Sequence, residues 1–576
     1  MSTTLYPASN GDLISVGLTA QVLQIGVKNW KIKNTFQGTP GVGISPGVAS
    51  YGNTIAINSA DTIALYNMDS GSPTGEIAAI GDVGASYMTQ KVSTISISPD
   101  GSAYFYANES GIYRVPMDTT VSERLVDGSL SSLGIQSLTF TNIFSVGSDE
   151  YLAMARTTES GSRLFRYVYN PDIPAEPSET LGVYSLQDNK TIHQAISGYQ
   201  IQHPDVRVNY QVGLQEGSGI PSADAMRTLS TELLAGKGPD VIVLDGIDVN
   251  GFIQKNILQD MTDVVSGINT LSNITGTYQQ DGKLYAVPTR FYIPMLLGDG
   301  VEKVKNLSDF TTWLGTQYTS DIGIRTEELV ERFYASCSYR WFGSDGSLNE
   351  AAFRSDMEQL GKLAEGIRSV GEVNAYGNVA IDTLLWYGGA ISSNYAMVSG
   401  YVDVTLLAAA IKNRPTGSYT LFPNEDGGVF VPGTVLGINA ATGSLDDAKS
   451  FVQHVLSDEV QNTHLGDGFS VNASAFESLS QDPITNEASD EAMAQLTVPD
   501  ARTGEQTEVS LSVKWPSEEF MTGFKSMLRG ASVPVKANAV IKEMIIDETA
   551  GFISGTKSLD ETVKSFKQKM DLYLAE

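Results

Sequence analysis

Cysteine, histidine and positive charge are what this sequence has least of. Of 576 residues one is cysteine, Cys337, and four are histidine. A single thiol forms no intrachain disulfide and leaves multi-cysteine zinc and iron–sulfur sites without ligands; it reads as a buried, inert side chain. Such usage fits a cytosolic protein, and equally an exported protein of a bacterium that does not build with disulfides. His193, His203, His454 and His464 make no H-E-x-x-H or other compact ligand spacing and fit helix surfaces or ends. Lysine and arginine number 37 against 66 acidic residues, a formal net charge of −29. An acidic surface repels phosphate backbones, which argues against nucleic acid as a partner. With no acidic tail, the charge mostly reports solubility. No apolar run reaches the roughly 18 residues of a membrane span. The opening MSTTLYPASNGDLISVGLTA lacks a basic start and a continuous apolar segment, so it is no signal peptide. Either the chain is cytosolic or a leader was removed from its precursor.

What is present is globular material, 41% hydrophobic and 18% charged, long enough for about three or four domains or lobes. Residues 1 to 178 are rich in Gly, Ser, Thr and Tyr. NTIAINSADTIALYNMDSG, STISISPDGSAYFYANESGIYRVPMD and DEYLAMARTTESGSRLFRYVYN each predict strand, tight turn, strand with period-2 alternation. In the second, Pro99-Asp100-Gly101 supplies the turn. Tyr66, Tyr113 and Tyr167 take equivalent places, at a spacing that suits β-propeller blades of roughly 45 residues. The segment then holds about four blades; an irregular β-sandwich is the other all-β reading. YNPDIPAEPSETL, Tyr169 to Leu181, is a semi-rigid linker.

Beyond it the pattern becomes β-α-β-α-β: TLGVYSL, a helix in NKTIHQAISGYQIQHP closed by Pro204, DVRVNYQVGL, a helix ended by Gly236, then DVIVLD. This predicts a parallel, doubly wound sheet. Ligands bind beyond the carboxyl ends of such strands, where Gln187, Asp245, Gly246 and the stretch Gly213 to Gly219 fall. Asp245 there would accept hydrogen bonds from a ligand, cap the next helix, or do both; Gly246 would permit close approach.

The phrases YQIQHPDVRVNYQV, LSTELLAGKGPDVIVLDGIDVNGFIQKNILQDMTDVV and DGKLYAVPTRFYIPMLLGD resemble the extracellular solute-binding proteins of bacterial ABC importers, in the carbohydrate branch. TVLGINAATGSLDDAKSFVQHVLSDEVQ, GDGFSVN and ISGTKSLDETVKSFKQKMDLYLAE continue the resemblance, which spans about residues 180–576. It implies a two-lobed α/β periplasmic-binding-protein fold over 179–576. One lobe would hold about 180–290 and 430–480, the other about 295–425, with C-terminal helices in 515–576 packing across both. A mono- or oligosaccharide would lie in the interlobe cleft, trapped by hinge closure and delivered to permease subunits. The resemblance also implies cell-surface attachment through a lipid anchor in the uncut precursor. The added β domain and the lack of a lipidated cysteine depart from the family pattern.

Sugars present hydroxyls and apolar ring faces, so their sites pair aromatic platforms with planar polar groups. By that measure the candidates are Arg290, Phe291 and Tyr292 near the expected hinge; Trp386, Tyr387, Gly388 and Asn394; Gly433 and Thr434 on the return crossing; and Trp515. Each aromatic also fits a core position, and Trp313 and Trp341 fit packing. Arg290 would alternatively anchor a carboxylate or phosphate.

Catalytic motifs fail. GISPG, Gly43 to Gly47, matches G-x-S-x-G by letter, but Pro46 has no N–H for an oxyanion hole and no helix follows. GFISGTKS resembles a phosphate loop, yet Thr556 separates the second glycine from Lys557. Ser558-Leu559-Asp560-Glu561 is instead a capping box, and Ser444 to Asp447 is related. Carboxylate pairs for glycoside hydrolysis are indistinguishable among so many acids. The expectation is a binding protein, not an enzyme, with no metal or cofactor. A ligand sensor or adhesion-type protein using the β domain is the alternative, and a polysaccharide-active enzyme a lesser one.

Overall fold

The computed structural model describes residues 4–575 except 17–20, 38–46, 60–61, 80–93, 109, 136, 148, 158–160, 171–176, 216, 317–325, 344–345, 371–378, 390–392, 423–427, 483–491, 500–505 and 536. Ser45 of the GISPG stretch and most of the proline-rich linker lie outside the described residues. Two compact units emerge: Met1–Thr180 with Lys190–Val208, and Leu181–Asn189 with Asn209–Glu576.

The first unit is built from four small antiparallel meanders in a propeller-like arrangement. Their strands are Thr4–Pro7, Leu13–Val16, Gln21–Gly26 and Lys31–Gln37; Val48–Tyr51, Thr54–Ser59, Thr62–Asn67 and Pro73–Ala78; Thr94–Ile97, Ala103–Asn108, Gly111–Pro116 and Glu123–Asp127; and Leu138–Ser145, Glu150–Thr157 and Ser162–Val168. The period-2 alternation gives each sheet an apolar face, and those faces bury one another: Ile14 and Val22 meet Ile55 and Ile57, Ile63 meets Tyr106 and Val115, and Phe105 meets Ile143 and Ala153. Tyr66, Tyr113 and Tyr167 each stand on the third strand of their sheet, so the spacing marked a real repeat and the sandwich reading falls. The Lys190–Gln202 helix groups with this unit. It lies on the short turns Gly128–Leu130 and Ser132–Gly134, where the Ser137 N–H donates to Gln194 Oε1 at 3.0 Å and Gln200 donates to the Ser129 carbonyl.

The second unit centres on one sheet, ordered Val206–Val212, Glu179–Ser185, Val241–Val243, Gly428–Ile438, Val287–Asp299, Ser393–Val398. The sheet is mixed rather than parallel throughout, which corrects the sequence expectation. Val183 pairs Val241 in parallel, but Val241 pairs Ile438 antiparallel. The reason lies in two long strands. The thirteen-residue Val287–Asp299 strand pairs the return strand Gly428–Ile438 over Val287 to Tyr292. From Ile293 onward it pairs Ser393–Val398, and from Met295 also Gly417–Leu421. One strand thus belongs to two lobes, and its partners change at Tyr292–Ile293.

Each lobe has its own core. Leu186, Leu229, Ile242, Leu244 and Phe252 form the first; Phe310, Phe333, Trp341, Phe353 and Phe566 form the second. The C-terminal helix Ala539–Ile553 reaches both, placing Val540 in the first core and Ile541 and Ile545 in the second. The Leu559–Ala575 helix opens as its sequence predicts: Ser558 N–H donates to Glu561 Oε2 at 2.9 Å and Glu561 N–H to Ser558 Oγ at 3.3 Å. Ser444 occupies the N-cap of Leu445–Val455 but makes no capping bond with its side chain. His454 is buried on that helix, not on its surface.

Candidate functional site

Two adjoining clusters of the second unit lie where strands end and lobes meet. The first is organised by Asp245, the residue after the buried Val241–Leu244 run. Its carboxylate does not cap the next helix. Asp248 does, accepting from the Gly251 N–H at 3.1 Å. Asp245 instead reaches across to the return strand, accepting from the Thr434 and Val435 N–H groups at 2.8 and 2.7 Å. This holds Thr434 at φ 44, the left-handed region that a β-branched residue rarely enters. Asn189 Nδ2 donates to the Thr434 hydroxyl at 3.0 Å. Burial raises the Asp245 carboxyl to about 6 despite its two N–H donors. Nearby, Ser185 and Tyr210 share a hydroxyl contact of 2.6 Å, and burial pushes Tyr210 up to about 12. Tyr292 covers the face of Gly433, where a Cβ would meet its ring at 2.5 Å. Burial, then the charges of Asp467 and Asp245, push the Tyr292 phenol up.

The second cluster is a cavity of about 360 Å³. Asp248 and Asn250 line it from the start of the Val249–Gln254 helix. Tyr334, Ser338, Tyr339 and Phe342 line it from the end of the Thr326–Cys337 helix. Val533, Pro534 and Asn538 come from the segment before the Ala539–Ile553 helix. Tyr334 is fixed by a two-way bond, its hydroxyl donating to the Asn538 carbonyl at 3.1 Å and accepting from the Asn538 N–H at 2.8 Å. The Ser338 hydroxyl is buried with no partner among the described residues. No lysine or arginine is among the described lining residues; the one charged group is Asp248. The N–H of Ala539, next to Asn538, donates to the carbonyl of Gly246, next to Asp245, at 2.8 Å, so the two clusters adjoin. A second, larger cavity of about 640 Å³ shares Asp248, Asn250, Gly346 and Leu574 and runs out along the Ser222–Leu234 helix. The arrangement offers aromatic faces, hydroxyls, amides and one carboxylate. Among the described lining residues no nucleophile–base pair comes together.

The sequence candidates divide. Asp245, Tyr292, Gly433 and Thr434 come together, and Gln187 is exposed two residues before Asn189. Gly246 is structural: it takes φ 75, and its carbonyl accepts from the Ala539 N–H at 2.8 Å. Arg290, Phe291 and Trp386 are corrections, because each is fully buried and presents no surface to a ligand. Arg290 donates to the Gln461 and Val460 carbonyls at 3.1 and 3.2 Å and faces Asp467 at 3.7 Å. Phe291 packs against Phe430, Phe469 and Phe476. Trp386 lies in a core with Leu297, Leu407 and Leu511, its ring under the Arg414 guanidinium at 4.6 Å. Tyr387 packs on that core, and exposed Gly388 follows it at the helix end. Asn394 pairs Leu297 through its backbone. Trp515 is half-buried before the Glu518–Arg529 helix. None of the candidates lines the cavity. Its own residues went unread, although RFYASCSYRWFGSDG carried a signal: aromatics at helical spacing running into a glycine turn.

The family of bacterial extracellular solute-binding proteins has a model that matches residues 199–492. Among solved structures, the GacH receptor of Streptomyces glaucescens, solved unliganded and with acarbose, is 16% identical. The match covers 70% of this chain and 100% of that one, with a TM-score of 0.43. The galacto-N-biose-/lacto-N-biose I-binding protein of a Bifidobacterium longum ABC transporter, in complex with lacto-N-biose, is 13% identical, covering 69% and 97%, with a TM-score of 0.45. An ABC substrate-binding protein from Listeria monocytogenes in complex with cycloalternan is 13% identical, covering 69% and 99%, with a TM-score of 0.42. No curated protein matches the chain by sequence.

Proposed function

Because the chain belongs to the bacterial extracellular solute-binding proteins, we propose that its second unit captures a neutral carbohydrate between its lobes and hands it to the permease of an ABC importer. The observation that carries this reading is the cavity of about 360 Å³ walled by Tyr334, Tyr339 and Phe342. Its volume is in the range of small-ligand sites. Aromatic faces suit the apolar faces of pyranose rings, while Asp248, Asn250 and Asn538 suit hydroxyls. An anionic ligand meets no cation in the described wall, and Arg290, the one arginine the sequence offered for that role, is already engaged with backbone carbonyls.

Closure follows from the crossing strands. Val287–Asp299 changes partners at Tyr292–Ile293, and on the return strand strained Thr434 stands three residues beyond Val431, the partner of Tyr292. Small backbone rotations there swing one lobe against the other and bring Asp248 toward Tyr339. The test is thermal unfolding of the whole chain against mono- and oligosaccharides, amino acids and short peptides. A ligand that binds only the folded state raises the melting temperature. The expected result is a shift with one sugar class that Tyr339→Ala and Phe342→Ala abolish. A shift that survives both substitutions moves the site elsewhere, and a hit confined to acidic ligands overturns the neutral-sugar reading.

A further inference from the structure

The first unit carries a surface feature that solute capture does not use. Between Val27 and Lys33, VKNWKIK, every charged residue is a lysine, in a chain of net charge −29. This is the tip joining the Gln21–Gly26 and Lys31–Gln37 strands. Its apolar side chains face water: Trp30 is 72% exposed, Ile32 58% and Val27 39%. Trp30 sits at φ 55, a conformation that strains a bulky residue. It is held there by its N–H donating to the Gly26 carbonyl at 2.8 Å and by the Lys31 N–H donating to Asn29 Oδ1 at 3.1 Å. The turn displays the indole instead of burying it. Lys33 is engaged by Asp12 at 2.8 Å, whereas Lys28 and Lys31 are exposed and meet no carboxylate among the described ion pairs. Behind the tip, Ile32 stands opposite Ile25 and Ile25 opposite Leu13, all partly or fully exposed. The apolar strip therefore continues along the outward face of the sheet.

Interleaved lysine, tryptophan and aliphatic side chains match a surface that is anionic outside and apolar beneath. An indole settles at the headgroup level of a bilayer, aliphatic tips enter the acyl boundary, and lysines meet anionic lipids. A soluble polyanion would satisfy the lysines but leave Trp30 and Ile32 in water. We infer that the Val27–Lys33 tip is a membrane-contact element that seats the first unit on an anionic lipid surface. This stands apart from the ligand of the second unit, since no cavity residue is involved.

The experiment is flotation of the full chain with vesicles of phosphatidylcholine, with and without phosphatidylglycerol, read together with tryptophan emission. The expected result is binding to the phosphatidylglycerol vesicles with a blue shift, weakened by added salt. Each lysine near an anionic surface contributes about fivefold, so Lys28→Glu with Lys31→Glu should cost at least ~tenfold in affinity. Trp30→Gly suits the left-handed turn, so it should keep the melting temperature, lose the blue shift and lose binding. Equal binding to phosphatidylcholine alone, no binding to either vesicle, or binding unchanged in Trp30→Gly would overturn the inference. Binding to soluble polyglycerol phosphate with no flotation would overturn it too, in favour of a polyanion.

Discussion

Asp245 shows how one side chain ties together two strands distant in sequence. It ends a buried strand, so its carboxylate is poorly solvated, and two backbone N–H groups recover only part of that loss. The carboxyl therefore titrates at about 6 in the folded chain instead of 3.8. A carboxyl whose folded pKa is raised binds its proton more tightly when native. Its contribution to stability is full below its unfolded pKa and is lost as pH rises through the folded value. Measured against Asp245→Asn by urea unfolding, the wild type should gain roughly 2–3 kcal/mol between pH 7 and pH 4. A difference between the two proteins that does not move with pH would refute the assignment. Thr434, strained at φ 44 and tied to the same carboxylate, shares the arrangement, so protonation of Asp245 also bears on the crossing strand.

At the scale of elements, the Val287–Asp299 strand decides the architecture of the second unit. It is long enough to pair with the return strand at one end and with Ser393–Val398 at the other, and Phe469–Ser470 adds to it at Arg290 and Phe291. Pro288 and Pro294 each remove a ladder donor from it, leaving it less regular near the change of partners. Helix ends are more local matters. The reciprocal bonds of Ser558 and Glu561 make the start of the last helix a self-contained unit. Ser558→Ala should cost about 1 kcal/mol in urea unfolding, with no effect on ligand binding, because Ser558 lines neither cluster. A cost near zero would mean the cap is solvated equally well without it.

On the scale of the molecule, the chain passes between the two units more than once. The Lys190–Gln202 helix falls between the second unit's two stretches, Leu181–Asn189 and Asn209–Glu576, but packs with the first unit. It buries Ile192, Ala195, Ile196 and Tyr199 and bonds Ser137 and Ser129 through Gln194 and Gln200. The first unit is then part of what stabilises that helix. A chain shortened to begin at residue 179 should melt several degrees lower than the full chain, on the order of 2 kcal/mol for two lost hydrogen bonds alone. Equal melting temperatures for the ligand-sensitive transition would show that the helix needs no such support.

Local periodicity was enough to read the repeat of Tyr66, Tyr113 and Tyr167, the glycine stop at Gly236 and the capping box at Ser558, because turns, caps and alternation depend on neighbours within a few residues. Ordered phrases such as AGKGPDV and GKLYAVP were enough to read the family, whose model matches residues 199–492. Contacts distant in sequence were not readable. The rule that aromatic and planar polar residues cluster at sugar sites selected Arg290, Phe291 and Trp386, but side-chain type does not distinguish a core position from a cleft position. Burial does, and it is set by segments more than a hundred residues apart, as in the Arg290 bonds to Val460 and Gln461. The same distance separates Asp245 from Thr434, and Tyr334 from Asn538. By itself the sequence determined the fold class, the repeat and the family. Only tertiary structure decided which residues face the cavity, because a cavity wall is a relation between segments that no one of them encodes.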